Sequence, residues 1–225
     1  MKTYENPPVK ILYEDSFLII CEKPVGLASQ YMDGGDSLPE RLLKYLGEGA
    51  YVGVVHRLDV GTGGVIVYAK NRDISQKLSD MISQRKYKKE YFAVIDGKIA
   101  DDKGILHDFL YHDMGKNKSY VVKGSRKGAK EAKLEYTVLS ETVFGEKTKS
   151  LVRINLLTGR THQIRVQFAH AGHPVCGDGK YGSRDNRCSC ALWAHRCEFV
   201  HPITGVTVEA VSCPPDKYPW NLFDI

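Results

Sequence analysis

The sequence His56-Arg57-Leu58-Asp59-Val60-Gly61-Thr62-Gly63-Gly64 leads into a compact apolar run that ends at Ala69. This run is rich in β-branched residues, so it predicts a buried strand and makes the preceding segment a loop that enters it. The glycines let a ligand's backbone come close to the loop, which presents an acid and a guanidinium. Taken alone, an Arg-x-Asp pair is more often a structural ion pair or a capping carboxylate than a catalytic pair.

On both sides of this loop the sequence is typical of short strands and helices. A helix capped by Asp36 or Ser37 precedes the loop, one that begins at Asn71 or Asp73 follows it, and a third stops at Gly172. Paired runs separated by turn residues predict hairpins. The sequence therefore indicates an α+β fold with a mixed, mainly antiparallel central sheet and flanking helices and loops. The predicted strands span 10–13, 17–22, 64–69, 91–97, 134–144, 147–157, 191–200 and 206–211.

The positive charge of the chain is gathered in two places. Lys and Arg number 32 against 27 Asp and Glu, and basic residues dominate the stretches 116–133 and 85–89. Such stripes fit a polyanion, although solvated charges on surface loops give the same pattern. The composition, 42% hydrophobic and 26% charged, is that of a folded protein and argues against disorder over most of the length.

The cysteines and the apolar runs bear on compartment and on metals. The six cysteines occur without a signal peptide, and no apolar run approaches the roughly 20 residues that cross a bilayer. We therefore expect a cytoplasmic chain without a membrane partner. A zinc site would draw on Cys188, Cys190, His195 and Cys197. Strand alternation predicts that His195 and Cys197 share a face, where close spacing gives poor tetrahedral geometry, so we expect no metal site.

The loop around Asp59 resembles a signature of the RluA family of pseudouridine synthases, which is close to His-Arg-Leu-Asp-x-x-Thr-Ser-Gly before an apolar strand and Ala-Lys. Here Gly63 stands where the family usually has Ser, and Ala69-Lys70 closes the strand. Residues 22–27 are similar to the family's Asn-Lys-Pro-x-Gly-Leu element, with Glu22 in place of Asn. Further similar blocks are Lys89-Glu90-Tyr91-Phe92-Ala93, Thr158-Gly159-Arg160-Thr161-His162-Gln163-Ile164-Arg165, Gly172-His173-Pro174, Gly177-Asp178, Tyr181-Gly182 and Ala194 with His201-Pro202.

The resemblance runs from about residue 11 to 210. It implies a single pseudouridine synthase catalytic domain over residues 1–225, with a central RNA-binding cleft and no separate N-terminal RNA-binding module. The implied reaction is the isomerisation of a uridine flipped out of a structured ribosomal or transfer RNA, by a monomer. Cleaving the N1–C1′ bond and rejoining the uracil through C5 is an isomerisation, so the resemblance implies no cofactor.

The resemblance also implies roles for individual residues. Asp59 would be the catalytic carboxylate, acting as a nucleophile on ribose or base or as a base on a ribose proton. Arg165 would form the ion pair that keeps it charged, with Arg160 as the alternative. Tyr91 would lie against the uracil ring, and Arg57 would fill the gap left by the extruded nucleotide. The catalytic set is thus Asp59, Tyr91 and Arg165, and the substrate-binding set is Arg57, Thr62, Arg160, Lys130 and His162.

Other interpretations stay open at this point. Tyr91 by itself would more often be a core tyrosine, and Arg57 an ordinary surface ion pair. His56 and His162 are interpreted as hydrogen-bonding supports of their loops. An RNA-binding or ribosome-associated protein could keep the same fold with little or no catalytic activity. A hydrolase would pair Asp59 with a histidine to activate water, but the sequence has no recognisable nucleophile elbow or metal motif.

Overall fold

The computed structural model describes residues 9–225. This part of the chain contains eleven strands and three α-helices. In chain order the elements are β1 (Lys10–Glu14), β2 (Leu18–Lys23), α1 (Leu38–Leu46), β3 (Gly53–Val54), β4 (Gly63–Ala69), α2 (Arg72–Ser83), β5 (Tyr87–Asp96), β6 (Lys103–Asp113), β7 (Lys118–Val122), β8 (Lys130–Phe144), β9 (Lys147–Leu156), α3 (Gln163–His170), β10 (Leu192–Val200) and β11 (Thr207–Val211). Single 3-10 turns occur at Gly179–Tyr181 and Trp220–Leu222.

The strands join one mixed sheet. Its order is β1-β2-β4-β10-β5-β9-β8-β6-β7, with β11 added to β10 and β3 added to β4. The pairing of β4 with β10 is parallel, and the other strand pairs are antiparallel. The predicted α+β class with a mainly antiparallel sheet is therefore confirmed. Within residues 9–225, no helix combines the length and the apolar character that a membrane crossing requires.

The first two helices begin at residues that the sequence offered as caps. Ser37 precedes α1 in an extended conformation, and its hydroxyl donates to Glu40 Oε2 at 2.7 Å. Asn71 precedes α2, and its side-chain oxygen accepts the backbone N–H of Ile74 at 2.9 Å. This second contact satisfies one of the free donors at a helix start. α2 then buries Ile74 and Leu78 against the sheet.

Strand β4 anchors the loop that carries Asp59. All seven of its residues are buried, and it lies between β2 and β10. Ile66 and Tyr68 pack into the cluster that includes the leucines of α1, while Val65 and Val67 pack into the cluster that includes α2. A strand covered on both faces has a continuous apolar sequence, which is the run that predicted it. Its burial fixes the position at which the preceding loop ends.

The hairpin of β6 and β7 was not predicted from the sequence. Along β6 the residues alternate between exposed and half-buried over most of the length, so its apolar pattern is weak. Strand β6 is held in place by pairing with β8. Because this pairing reaches Lys130, β8 begins there and not at the predicted position 134. The basic stretch 116–133 therefore includes β7 and the start of β8, and is not a loop throughout.

Gly63 has a packing reason that the sequence did not reveal. It opens β4 opposite Trp193 of β10, and a Cβ at this position would overlap the six-membered ring of Trp193. The next residue, Gly64, has a φ of +109° and lies against the backbone of Ala194. The two glycines let β10 approach β4 closely at the point where the loop that carries Asp59 enters the sheet.

We predict that Gly63→Ala lowers the free energy of unfolding by about 1–3 kcal/mol, because the new methyl group overpacks Trp193. Urea denaturation measures the change. Gly61→Ala is the matched control, since its Cβ would lie 4.0 Å from the Cβ of Cys190, an ordinary contact distance. Equal stability of the two variants would contradict this account of Gly63.

Candidate active site

Arg165 and Asp59 meet where α3 faces the loop before β4. Arg165 Nη1 donates to Asp59 Oδ2 at 3.0 Å. Two further nitrogens of Arg165 bind Asp178: Nε donates to Oδ2 at 2.6 Å and Nη2 to Oδ1 at 2.8 Å. The predicted contact between Arg165 and Asp59 is present. Asp178, from the Gly177-Asp178 block, is a second carboxylate, and no role was predicted for it.

The charges of this trio depend on one another. The side chains of Arg165 and Asp178 are 13% and 2% exposed, and that of Asp59 is 30% exposed. Burial lowers the pKa of Arg165, but the hydrogen bonds to Asp178 and the charges of both carboxylates outweigh it and raise the pKa. The guanidinium therefore stays positive at any physiological pH. One buried cation is shared between a buried and a half-buried carboxylate, which leaves Asp59 accessible to solvent.

Backbone contacts hold the loop that presents Asp59. The N–H of Thr62 donates to the carbonyl of Asp59 at 2.9 Å, which closes a tight turn, and the Thr62 side chain is buried. Lys23 lies beneath the turn with no exposed surface, and its ammonium donates to the carbonyls of Leu27 at 2.7 Å and Val60 at 3.2 Å. Burial lowers the pKa of Lys23 to about 8, and the charge of Asp59 opposes this shift. Lys23 belongs to the family-like element 22–27, but its contact with this loop depends on the fold and was not predicted.

Tyr91 lies on β5, between Ala194 of β10 and Ile154 of β9, and is 7% exposed. Burial and then the charge of Asp59 raise its pKa. The phenol is therefore neutral at physiological pH. Ala194, its partner on β10, pairs in turn with Gly64, which follows the Asp59 loop.

His162 also lies close to Asp59. Its Nε2 is 3.7 Å from Asp59 Oδ2, and its Nδ1 is 2.9 Å from the hydroxyl of Tyr181. The residue precedes α3 in the left-handed region, with a φ of +55°. The structure thus brings five of the predicted residues to one place or into its supporting loops: Asp59, Tyr91, Arg165, Thr62 and His162.

Three predicted substrate-binding residues are not in contact with this centre. Arg57 is exposed, and its Nη1 donates to Gln30 Oε1 at 2.9 Å. Arg160 turns away, since its Nε donates to the carbonyl of Glu131 at 2.8 Å, and it is not the partner of Asp59. Lys130 is exposed at the first position of β8. These three side chains lie on the surface and do not contact the trio of Asp59, Arg165 and Asp178.

The expectation that His195 and Cys197 share a face is wrong. The β5–β10 register shifts between Ala194 and Arg196, so His195 lies in a bulge. Its ring stacks on Phe92 at 3.9 Å between centroids, whereas Cys197 packs in the cluster of Tyr87. Phe92 and Tyr87 are five residues apart on one strand and face opposite sides of the sheet. A bulge re-aims a side chain in this way.

A different group of possible metal ligands was not foreseen. Cys176, Asp185 and Cys188 place one ligand atom each within 4.8 Å of the others. The ammonium of Lys149, which has no exposed surface, donates to Asp185 Oδ2 at 2.9 Å and to Cys176 Sγ at 3.2 Å. Lys149 thus already supplies a positive charge to this group. The geometry is that of a buried ion pair with two adjacent thiols.

Comparison with known proteins agrees with the fold. Residues 17–170 match the model of a family described as RNA pseudouridylate synthase. A ribosomal large subunit pseudouridine synthase C of Buchnera aphidicola is 33% identical over 92% of this chain and 68% of its own. An uncharacterized RNA pseudouridine synthase of Aquifex aeolicus is 35% identical, over 89% of this chain and 68% of its own length.

The structural comparison gives the same fold. The human RNA pseudouridylate synthase domain containing 1 superposes with a TM-score of 0.77 at 24% identity, over 94% of this chain and 85% of the human one. The family match covers residues 17–170, which is most of the chain. The chain belongs to the RNA pseudouridylate synthase family.

The histidine that opens the loop motif makes stability depend on pH. His56 Nε2 accepts the N–H of Val67 at 3.4 Å, while Nδ1 is shielded from solvent and has no hydrogen-bond partner among the described residues. Burial, and then the charge of Lys89, lower its pKa well below the usual value. The folded state keeps His56 neutral, whereas the unfolded state binds a proton near pH 6.5.

We predict that the free energy of unfolding falls as the pH drops below about 6.5, because the unfolded state then binds more protons than the folded state. His56 contributes at most about 1.4 kcal/mol per pH unit to this slope. Urea denaturation between pH 7.5 and 5.5 should show a shallower slope for His56→Gln. His170→Gln, at an exposed position, is the control and should keep the wild-type slope. Parallel slopes for all three proteins would rule out this role of His56.

Proposed function

We propose that this chain converts uridine to pseudouridine in RNA, with Asp59 as the catalytic carboxylate. One observation carries the proposal. Arg165 engages Oδ2 of Asp59 at 3.0 Å, while Oδ1 has no hydrogen-bond partner among residues 9–225. The carboxylate is thus held on one oxygen by a fixed cation and offers the other to a substrate. This is the arrangement that a nucleophile or a general base requires.

The chemistry asks little more of the protein than this. The N1–C1′ bond breaks, the uracil turns, and C5 bonds to C1′, so that product and substrate are isomers and the proton from C5 is exchanged for one on N1. A cleft that excludes water disfavours a carboxylate, and a guanidinium within hydrogen-bonding distance offsets that cost. Arg165 fits this requirement because Asp178 holds it by two hydrogen bonds.

Tyr91 is proposed to stack on the flipped uracil. Support comes from its position on β5, where it pairs with Ala194, the residue that joins Gly64 after the Asp59 loop. Its flat ring and neutral phenol also suit a base. Arg57 is proposed to enter the RNA stack where the nucleotide has left, because it is exposed two residues before Asp59. Thr62, by its backbone contact with Asp59, would support the loop and not touch RNA.

We propose ribosomal RNA as the substrate, since relatives are named ribosomal large subunit pseudouridine synthases C and D. Transfer RNA is the second candidate. The stretch 116–133 is proposed to contribute RNA contacts, because Lys123, Lys127 and Lys130 are exposed along it. Arg126 of the same stretch lies over the ring of Tyr111, 4.0 Å from its centroid. Arg160 and Lys130 would act on RNA through this surface, away from the carboxylate.

The first test uses RNA from cells that lack the protein, with pseudouridine mapped at single-nucleotide resolution. We expect the wild type to modify defined uridines and Asp59→Asn to lose at least about 10³-fold in rate, because the amide can neither attack nor accept a proton. Asp73→Asn, on the exposed start of α2, is the matched control and should be fully active. If the wild type forms no pseudouridine on any cellular RNA, the enzyme assignment fails, and an RNA-binding or ribosome-associated protein of this fold becomes the alternative. Equal rates for wild type and Asp59→Asn would remove Asp59 from the chemistry.

A second variant tests the shared guanidinium. We predict that Arg165→Lys lowers the single-turnover rate by about 10²-fold, because an ammonium cannot bind Asp178 with two nitrogens and Asp59 with a third. RNA affinity should stay within about threefold, since the side chain is mostly buried and faces carboxylates, not RNA. Filter binding and circular dichroism separate loss of chemistry from loss of binding or folding. A rate close to that of the wild type would mean that any cation at this place suffices.

A further inference from the structure

Hydrogen bonds lead from the β6–β7 hairpin to His162, whose ring lies next to Asp59. The backbone N–H of Ser119 on β7 donates to the hydroxyl of Tyr181 at 2.8 Å. That hydroxyl lies 2.9 Å from Nδ1 of His162, and Nε2 of His162 lies 3.7 Å from Oδ2 of Asp59. Ser119, Tyr181 and His162 are each at most 9% exposed. Water therefore has little access to these contacts.

The direction of each hydrogen bond follows from the number of protons available. The N–H of Ser119 has only one role, as donor, so the Tyr181 oxygen accepts from it. The phenol has a single proton, and its other hydrogen-bond partner among the described residues is Nδ1 of His162. Donation of that proton makes Nδ1 an acceptor. A neutral imidazole then carries its own proton on Nε2, the nitrogen that faces Asp59.

The same count holds on the other side of Ser119. Its hydroxyl donates to the carbonyl of Thr161 at 2.6 Å, so its oxygen accepts from Nδ1 of His112 at 3.2 Å. β7 is thereby tied both to the residue before His162 and, through Tyr181, to the His162 ring. The position of the imidazole depends on the hairpin, which lies far from Asp59 in sequence.

We propose that His162 is a positioning residue for Asp59: a neutral imidazole, fixed by Tyr181 with its proton on Nε2, that steadies Oδ2 beside Arg165 and leaves Oδ1 to the substrate. The inference rests on the proposed function of Asp59. It gives His162 a partner in the protein instead of in RNA. The 3.7 Å separation is longer than a hydrogen bond, and we expect it to shorten when RNA closes the cleft.

The charged and titratable groups around His162 favour its neutral form. Burial lowers its pKa; the charge of Asp59 opposes this, and the charges of Arg165, Lys180 and His112 add to it. The hydroxyl of Tyr181 adds a donor that only the neutral ring can accept. The net direction is downward, so the ring holds one proton at physiological pH.

Two amide substitutions separate this role from simple support. In His162→Asn the amide overlays the Nδ1 side and can still accept from Tyr181, but it does not reach Asp59. In His162→Gln the longer amide reaches the Nε2 position and can donate to Asp59. The backbone favours the opposite order for stability, because Asn adopts the left-handed region at φ +55° more readily than Gln.

We expect kcat to fall about tenfold in His162→Asn and to stay within about threefold of wild type in His162→Gln, with KM for RNA unchanged in both. Urea denaturation should rank Asn at least as stable as Gln. If His162→Asn is instead faster than His162→Gln, as the stability order would give, or if His162→Asn has wild-type kcat, His162 is only a support and the inference fails. His170→Gln is the control for histidine loss and should have wild-type kcat.

A direct measurement of the proton needs no activity. Two-bond ¹H–¹⁵N correlations of histidine-labelled protein, with His162 assigned by its loss in His162→Gln, should show the proton on Nε2.

Tyr181→Phe keeps the ring over Arg165 and removes only the hydroxyl. We expect this variant to raise the pKa of His162, because the neutral form loses its donor. A proton on Nδ1 in the wild type, or an unchanged titration in Tyr181→Phe, overturns the inference even if the chain proves to be an active synthase. Conversely, a wild type without activity would defeat the proposed function and leave this measurement to judge the hydrogen-bonded series by itself.

Discussion

The guanidinium of Arg165 holds Asp178 with two nitrogens and Asp59 with a third, and this joins three segments that are far apart in sequence. α3 supplies the cation, and the loop before β4 supplies Asp59. Asp178 comes from the segment after α3, just before the 3-10 turn Gly179–Tyr181. Removing Arg165 would leave the buried Asp178 without its partner, which is far more costly than losing a surface ion pair. The geometry of this site therefore depends on Arg165.

The surrounding structure limits how this trio can move. The ammonium of Lys23 donates to the backbone carbonyl of Val60 in the Asp59 loop. The fully buried β4 fixes the point where that loop ends. On the other side, Tyr181 lies over Arg165 and bonds to His162. A carboxylate held in this way does not have to reorganise when charge develops on the substrate, and such preorganisation is the largest contribution that many active sites make.

Much of the fold and part of the site could be predicted because they depend on local patterns. Continuous apolar residues predicted β4, and the cap at Asn71 predicted the start of α2, since both depend on neighbours in the chain. Gly63 was seen as a departure from the family pattern but not explained, because its reason is the ring of Trp193, more than a hundred residues away. The β6–β7 hairpin was missed because pairing with β8 stabilises a pattern that is weak by itself.

Local sequence was enough to identify the loop of Asp59, the mainly antiparallel sheet and, through its resemblance to a family, the enzyme class. Tertiary structure alone decided which charges share a site, because Coulomb and hydrogen-bonding contacts depend on distances in space that a sequence does not contain. It selected Arg165 over Arg160 and added Asp178. It also placed His195 and Cys197 on opposite faces, since a single bulge reverses the alternation on which that prediction was based.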